Sequence, residues 1–130
     1  MLNTELNKEL INYVIIPGFV DYRINLNGDI KYLKPKSQEI LDVRLINKSN
    51  KPKSIYAFPR KVGEYKKQQI EISIASLLLI TFVEPRKNSY QIPCYKDFND
   101  LNISINNLYW GTKKEYNNAL VNHKITNNLN

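Results

Sequence analysis

The stretch from Ile92 to Val121 constrains the fold more than any other part of this sequence. Ile92 to Asp97 has the makeup of a strand running into an Asn- and Asp-rich loop, and Asn106 to Trp110 that of a short return strand. Thr112-Lys113-Lys114-Glu115 follows as a capping box. In such a box the threonine hydroxyl accepts from the third helical amide while the glutamate reaches back to the cap amide. The box predicts a helix from Lys113 to about Val121. Strand, loop, strand and helix in so short a span make a ββα unit, with Trp110 expected in the core beside Leu108 and the helix.

Upstream, the pattern alternates between turn signals and short apolar runs. Thr4 as cap, with Leu6, Leu10, Tyr13 and Val14 at helical spacing, predicts a short helix over residues 4–13. Tyr22 to Leu33 alternates across Asn27-Gly28, a dipeptide that favours hairpin turns because both positions tolerate positive φ. Lys34 to Lys53 is expected to be basic loop around one strand, Ile40 to Ile46. A second hairpin is expected across Lys61–Lys67, turning at Gly63 and ending in a strand from Gln69 to Ser73. Ser73 to Val83 fits a mostly buried helix that Ser73 caps and Glu84-Pro85 stops. From Asn122 the Asn-rich tail is expected to fray. The expected organisation is one α+β domain over residues 1–130. Its parts are a modular hairpin at 14–33, basic loops and a second hairpin at 34–68, a core at 69–121 and a tail at 122–130.

Composition excludes several classes. One cysteine, Cys94, leaves no internal disulfide, and one Cys with one His (His123) leaves no zinc finger. The longest apolar run, Ile74 to Val83, falls short of the roughly 18 residues that a membrane span needs. Met1 to Glu9 is polar and carries two acids, unlike a signal peptide. A soluble, intracellular protein without a membrane partner is expected. Nineteen Lys and Arg against twelve Asp and Glu give a formal charge of +7, which attracts nucleic acid. Fifteen of those cations are Lys and the chain holds 18 Asn and 16 Ile, residues of A/T-rich codons, so codon bias is a competing source of the charge.

These residues resemble a known family. Pro93 to Ala119, PCYKDFNDLNISINNLYWGTKKEYNNA, is similar to the ββα-metal core of phage and intron-type HNH homing endonucleases, matching at Asn107, Leu108, Trp110, Gly111, Thr112 and Glu115. IASLLLITFVEP (Ile74 to Pro85) resembles the helix that precedes that core. IPGFVDYRINLNGDIKYL (Ile16 to Leu33) resembles the modular hairpin that often precedes these nucleases. The resemblance implies hairpin modules plus an HNH-like core, a divalent metal and a histidine that activates water.

The departures from that pattern decide the expected activity. Tyr95 stands where the resemblance places the general-base His, Cys94 where it places an Asp ligand, and Tyr116 where it places an Asn ligand. Ala75 and Ser76 replace the upstream His and Arg. A phenol with an ordinary pKa near 10 is a poor base near pH 7, and a thiol is a poor ligand for Mg²⁺. Asp97 is the one acid left near the site. His123, beyond the expected helix, suits the helix dipole better than catalysis. No catalytic residue, metal or cofactor is therefore expected, Mg²⁺ entering only if an atypical site at Asp97 cleaves DNA.

Phosphate contacts survive the loss of catalysis because they need only cations, amides and hydroxyls. The expected function is non-catalytic nucleic-acid binding (DNA or RNA) by a pseudoenzyme derived from an HNH endonuclease, as part of a ribonucleoprotein or phage assembly. Lys113 and Lys114 at the helix start lead the candidates, followed by Arg60, Lys61, Lys66 and Lys67. Lys34, Lys36, Lys48, Lys51 and Lys53 lie in the basic loops. Tyr56, Phe58 and Tyr65 interleave with these cations, either stacking on bases or packing on the core. The alternatives are an active HNH-type endonuclease with an atypical site and a protein-binding inhibitor or structural subunit.

Overall fold

The computed structural model describes residues 8–49, 51–64 and 68–128. Thr4 and Leu6 of the expected first helix lie outside them. Within the described part of that segment only residues 8–9 are helical; the chain turns over residues 10–12, and Val14 already belongs to a strand. Four strands form an antiparallel sheet in the order β1 (Val14–Ile16), β2 (Phe19–Ile24), β3 (Ile30–Leu33), β4 (Ile40–Asp42). β5 (Ser54–Ala57) pairs antiparallel with β6 (Ile70–Ser73), and β7 (Gln91–Tyr95) pairs antiparallel with β8 (Leu108–Thr112). Among the described residues two longer helices complete this α+β fold, α1 (Ile74–Phe82) and α2 (Lys113–Asn128).

Helix α1 is the hub. Ser73 caps it by accepting from the Ser76 amide at 3.1 Å. Ile74, Ala75, Leu77, Leu78 and Leu79 are all buried, so the helix is apolar nearly all round, as an enclosed helix must be. It touches β1, β2, β6, β7 and β8, and its side chains share one core with Ile16, Tyr22, Ile24, Ile55, Tyr95 and Leu108. Burying side chains of that size stabilises by about 1.5–3 kcal/mol each.

The Asn27-Gly28 hairpin departs from the expected two-residue turn. Ile24 pairs with Ile30, leaving residues 25–29 as the loop. Asn25 Oδ1 accepts from the Asn27 and Asp29 amides at 3.0 and 2.9 Å, so an asparagine side chain, rather than a second positive-φ residue, makes the turn. Gly28 has φ +84°, and a Cβ there would lie 2.8 Å from Ile103 Cδ1 and 2.9 Å from Ile74 Cγ2. Gly28 is thus the point where this loop presses on α1 and on the loop after β7.

Two further expectations need correction. The strand expected over Ile40–Ile46 stops at Asp42, and Ile46 makes an isolated antiparallel bridge to Ser54. The tail does not fray at Asn122, because α2 continues to Asn128. The reason lies far away in sequence. Phe98, at φ +59°, stacks its ring 4.8 Å from His123 and 5.4 Å from Tyr116, holding that face of α2 against the loop after β7. Trp110 is partly buried against the core, and its Nε1–H donates to the Glu84 carbonyl at 2.8 Å, tying β8 to the end of α1.

Candidate nucleic-acid interface

β7, β8 and α2 meet where β7 begins and β8 ends. Gln91 pairs with Thr112, and the register runs through Cys94↔Tyr109 to Tyr95↔Leu108. The capping box closes as expected: Thr112 Oγ1 accepts from the Glu115 amide at 3.2 Å, and Glu115 Oε1 accepts from the Thr112 amide at 3.3 Å. The Thr112 hydroxyl, which donates to Glu115 Oε1 at 2.7 Å, and the Thr112 amide hold the Glu115 carboxyl below its ordinary pKa.

At the other end of the hairpin, the positions that the family resemblance gives to ligand and base are dry. Cys94 is fully buried, and burial pushes its thiol up to about 11. Gly111 makes room for it, since a Cβ there would stand 3.1 Å from the Cys94 sulfur. Tyr95 is 5% exposed, and burial pushes its phenol up to about 12. Burial also raises Tyr116, whose ring lies on Phe98. Neither phenol accepts a proton at neutral pH in such surroundings. Ala75 is buried in the core, and Ser76 hydrogen-bonds to Ser73.

The loop between β7 and β8 is held by reciprocal bonds between Asp97 and Asn107. The Asp97 amide donates to Asn107 Oδ1 at 3.0 Å, and Asn107 Nδ2 donates back to Asp97 Oδ1 at 2.9 Å and to the Asn102 carbonyl at 2.9 Å. Asp97 Oδ1 also accepts from the Asn99 amide at 2.9 Å, and Oδ2 from Asn102 Nδ2 at 2.8 Å. This donor set, led by Asn102, lowers the Asp97 pKa. Both carboxylate oxygens are engaged in shaping the loop. A hard divalent ion wants several oxygen ligands, and the other positions that the resemblance gives to ligands hold a buried thiol, Cys94, and a phenol in a ring stack, Tyr116. The residues do not fit the metal that the resemblance implies. Among the described residues, no three of His, Cys, Asp and Glu gather as a metal ligand set.

His123 is also accounted for. It sits inside α2 rather than beyond it, with its ring on Phe98 and Nε2 3.0 Å from Asn127 Nδ2.

The cations divide sharply. Lys113 and Lys114 are exposed in the first turn of α2. The Lys87 amide donates to Gln91 Oε1 at 2.6 Å, and Gln91 is the strand partner of Thr112. The loop that carries exposed Arg86 and Lys87 is thereby tied to the same end of the β7–β8 hairpin from which Lys113 and Lys114 start. Sequence reasoning misses Arg86 and Lys87. The Gln91↔Thr112 register that gathers them follows from the ββα pattern, but the Lys87–Gln91 bond has no sequence signal.

Arg60 belongs elsewhere. Its Nε donates to Asp21 Oδ2 at 2.8 Å, Nη2 donates to the other Asp21 oxygen and Nη1 donates to the Glu64 carbonyl. Asp21 is buried, so this bidentate pair neutralises a carboxylate inside the fold. Three of the guanidinium's nitrogens are engaged there, which makes Arg60 a structural residue first. Lys61 is exposed, and Lys66, Lys67 and Tyr65 lie outside the described residues. Lys34 pairs with Glu39 and Lys48 with Glu71, while Lys36, Lys51 and Lys53 are exposed. Phe58 is partly buried, and Tyr56 stands out from β5 at 50% exposure. Among the described residues, no helix is long and apolar enough to cross a membrane.

Comparison with protein-family models, with curated proteins and with solved structures gives no match to this chain.

Proposed function

We propose that this protein binds nucleic acid without cleaving it, on a scaffold of HNH-endonuclease type whose catalytic positions have become core. The observation that carries this reading is the pair of exposed cations in the first turn of α2, Lys113 and Lys114, with Arg86 and Lys87 exposed on the loop that Gln91 ties to the same end of the hairpin. Exposed cations at a helix start suit a run of phosphates, because the helix dipole adds to their positive potential. What weighs against cleavage is the chemistry at the strand end: a phenol near 12, a thiol near 11 and a carboxylate already shared among three donors. The nucleic acid would be recognised chiefly through its backbone, with little base specificity at this helix start.

The test pairs two assays on the purified chain. Gel-shift titration at 100 mM salt is expected to show binding tighter than about 10 μM to duplex DNA or structured RNA, the range of non-specific phosphate binders. Incubation of supercoiled plasmid with Mg²⁺ or Mn²⁺ is expected to leave it intact. Nicking that Asp97→Ala abolishes would favour the atypical endonuclease instead. Absence of binding to either polymer would favour a protein partner, for which exposed Val121 and Ile125, one turn apart on α2, are the natural contact.

A further inference from the structure

A second surface has no part in that site. The strand β4 ends at Asp42, and the chain then crosses to Ile46, whose bridge to Ser54 brings it against the β5–β6 pair. The crossing leaves an open groove of about 520 Å³, lined by Arg44, Leu45, Asn47, Lys48, Tyr56 and Gln69 among others.

The lining is mixed in an informative way. Tyr56 alternates outward from β5 while its neighbours Ile55 and Ala57 are buried, so its ring is presented at 50% exposure with a firmly anchored backbone. Leu45 adds apolar surface at 44% exposure. Asn47 and Gln69 each offer a carboxamide, with donor and acceptor on one planar group. Arg44 and Lys48 supply positive charge, and exposed Lys51 and Lys53 follow Lys48 along the chain. Glu71, the cross-strand partner of Tyr56, accepts from the Ser54 hydroxyl at 2.9 Å and lies 3.5 Å from Lys48 Nζ. Cations therefore outnumber acids along this groove.

We infer that this groove takes an unpaired nucleotide of a single-stranded nucleic acid, its base against Tyr56 and its phosphate towards Arg44 and Lys48. An aromatic face stacks on any base, carboxamides match the donor–acceptor edges of bases, and the cations match the backbone. A purely apolar peptide would leave both carboxamides and Arg44 without partners. A duplex would present no base face for Tyr56. The groove stands apart from the α2 edge and does not depend on it.

The test is an NMR titration of the full chain with short single-stranded oligonucleotides, dT4 and rU4, against ribose 5-phosphate as the phosphate-only probe. Shifts are expected at the backbone amides of residues 43–48, 56 and 69, and weaker or no shifts with ribose 5-phosphate. Comparing dT4 with rU4 separates DNA from RNA as the source. Tyr56→Ala should weaken oligonucleotide binding about tenfold or more, as loss of one stacking platform does, while Tyr56→Phe keeps it. Both changes fall on an exposed ring, and the spectrum itself reports whether the fold persists. Lys113→Ala with Lys114→Ala should leave these shifts unchanged, which distinguishes the groove from the α2 edge. Oligonucleotide shifts confined to residues 86–91 and 112–116, equal response to ribose 5-phosphate, or insensitivity to Tyr56→Ala would each overturn the inference.

Discussion

Two loops in this protein are built by an asparagine, and they use it differently. In residues 25–29, Asn25 receives two backbone amides and the turn needs only one positive φ, at Gly28. In the loop between β7 and β8, Asn107 exchanges bonds with Asp97, and the Asp97 carboxylate gathers the Asn99 amide and the Asn102 side chain. The first loop is local in sequence, its amides held by a neutral carboxamide that also donates to Asp29 Oδ2 at 3.1 Å. The second depends on an ionised carboxylate and spans β7 to β8. They meet at Gly28, against Ile103 and Ile74. Asp97 and Asn107 keep a polar loop in shape, while beside it Cys94 and Tyr95 lie in the core and Tyr116 in a ring stack.

The contact between the loops is the most sensitive point. Gly28→Val places a β-branched residue at φ +84° with its Cβ under 3 Å from two methyl groups. Left-handed strain and overpacking together should cost about 2–5 kcal/mol in chemical denaturation. A cost below about 1 kcal/mol would mean that the loops move independently. Next is Asn107→Ala, which strands the Asp97 amide and empties three hydrogen bonds at a nearly buried side chain. A loss of about 1–3 kcal/mol is expected, with hydrogen exchange rising across 97–107 and little changed across 25–29. Equal loss of protection in both loops would break the distinction drawn between them.

Thr112→Ala probes the far end of the same hairpin, where it removes the acceptor for the Glu115 amide. The expected cost is about 1 kcal/mol, confined to the first turn of α2.

The smallest effect is that of acid. The Asp97 pKa is lowered in the folded chain, so its contribution to stability is full above the unfolded carboxyl value near 4. That contribution fades as pH falls below about 4 and through the folded value. Amides of the 97–107 loop should exchange faster in that range, ahead of those held by the neutral Asn25 carboxamide.

Much of this fold is legible from sequence where the signal is local. Thr112 with Glu115, Ser73 before an apolar run and Asn-Gly between alternating strands each contain their own physics within a few residues. Less legible is anything that closes over distance. The helix α2 outlasts the expected stop because Phe98 reaches His123, and Arg60 is no free cation because buried Asp21, 39 residues earlier, holds it. The dipeptide Asn27-Gly28 suggests a two-residue turn because nothing in it shows that Asn25 takes over one of its tasks. The cations at this end of the hairpin combine both cases: Lys113 and Lys114 follow from the capping box, while the loop that carries Arg86 and Lys87 is tied there by a strand register and one glutamine side chain.

The central claim, binding through phosphates at the start of α2, is tested most directly by the salt dependence of duplex binding. The logarithm of the affinity should fall linearly with the logarithm of salt concentration, by about 0.9 per phosphate contact. Lys113→Ala and Lys114→Ala should each reduce that slope by about one, without altering sequence preference. A slope unchanged in the double variant would contradict the account, because Lys113 and Lys114 would then touch no phosphate.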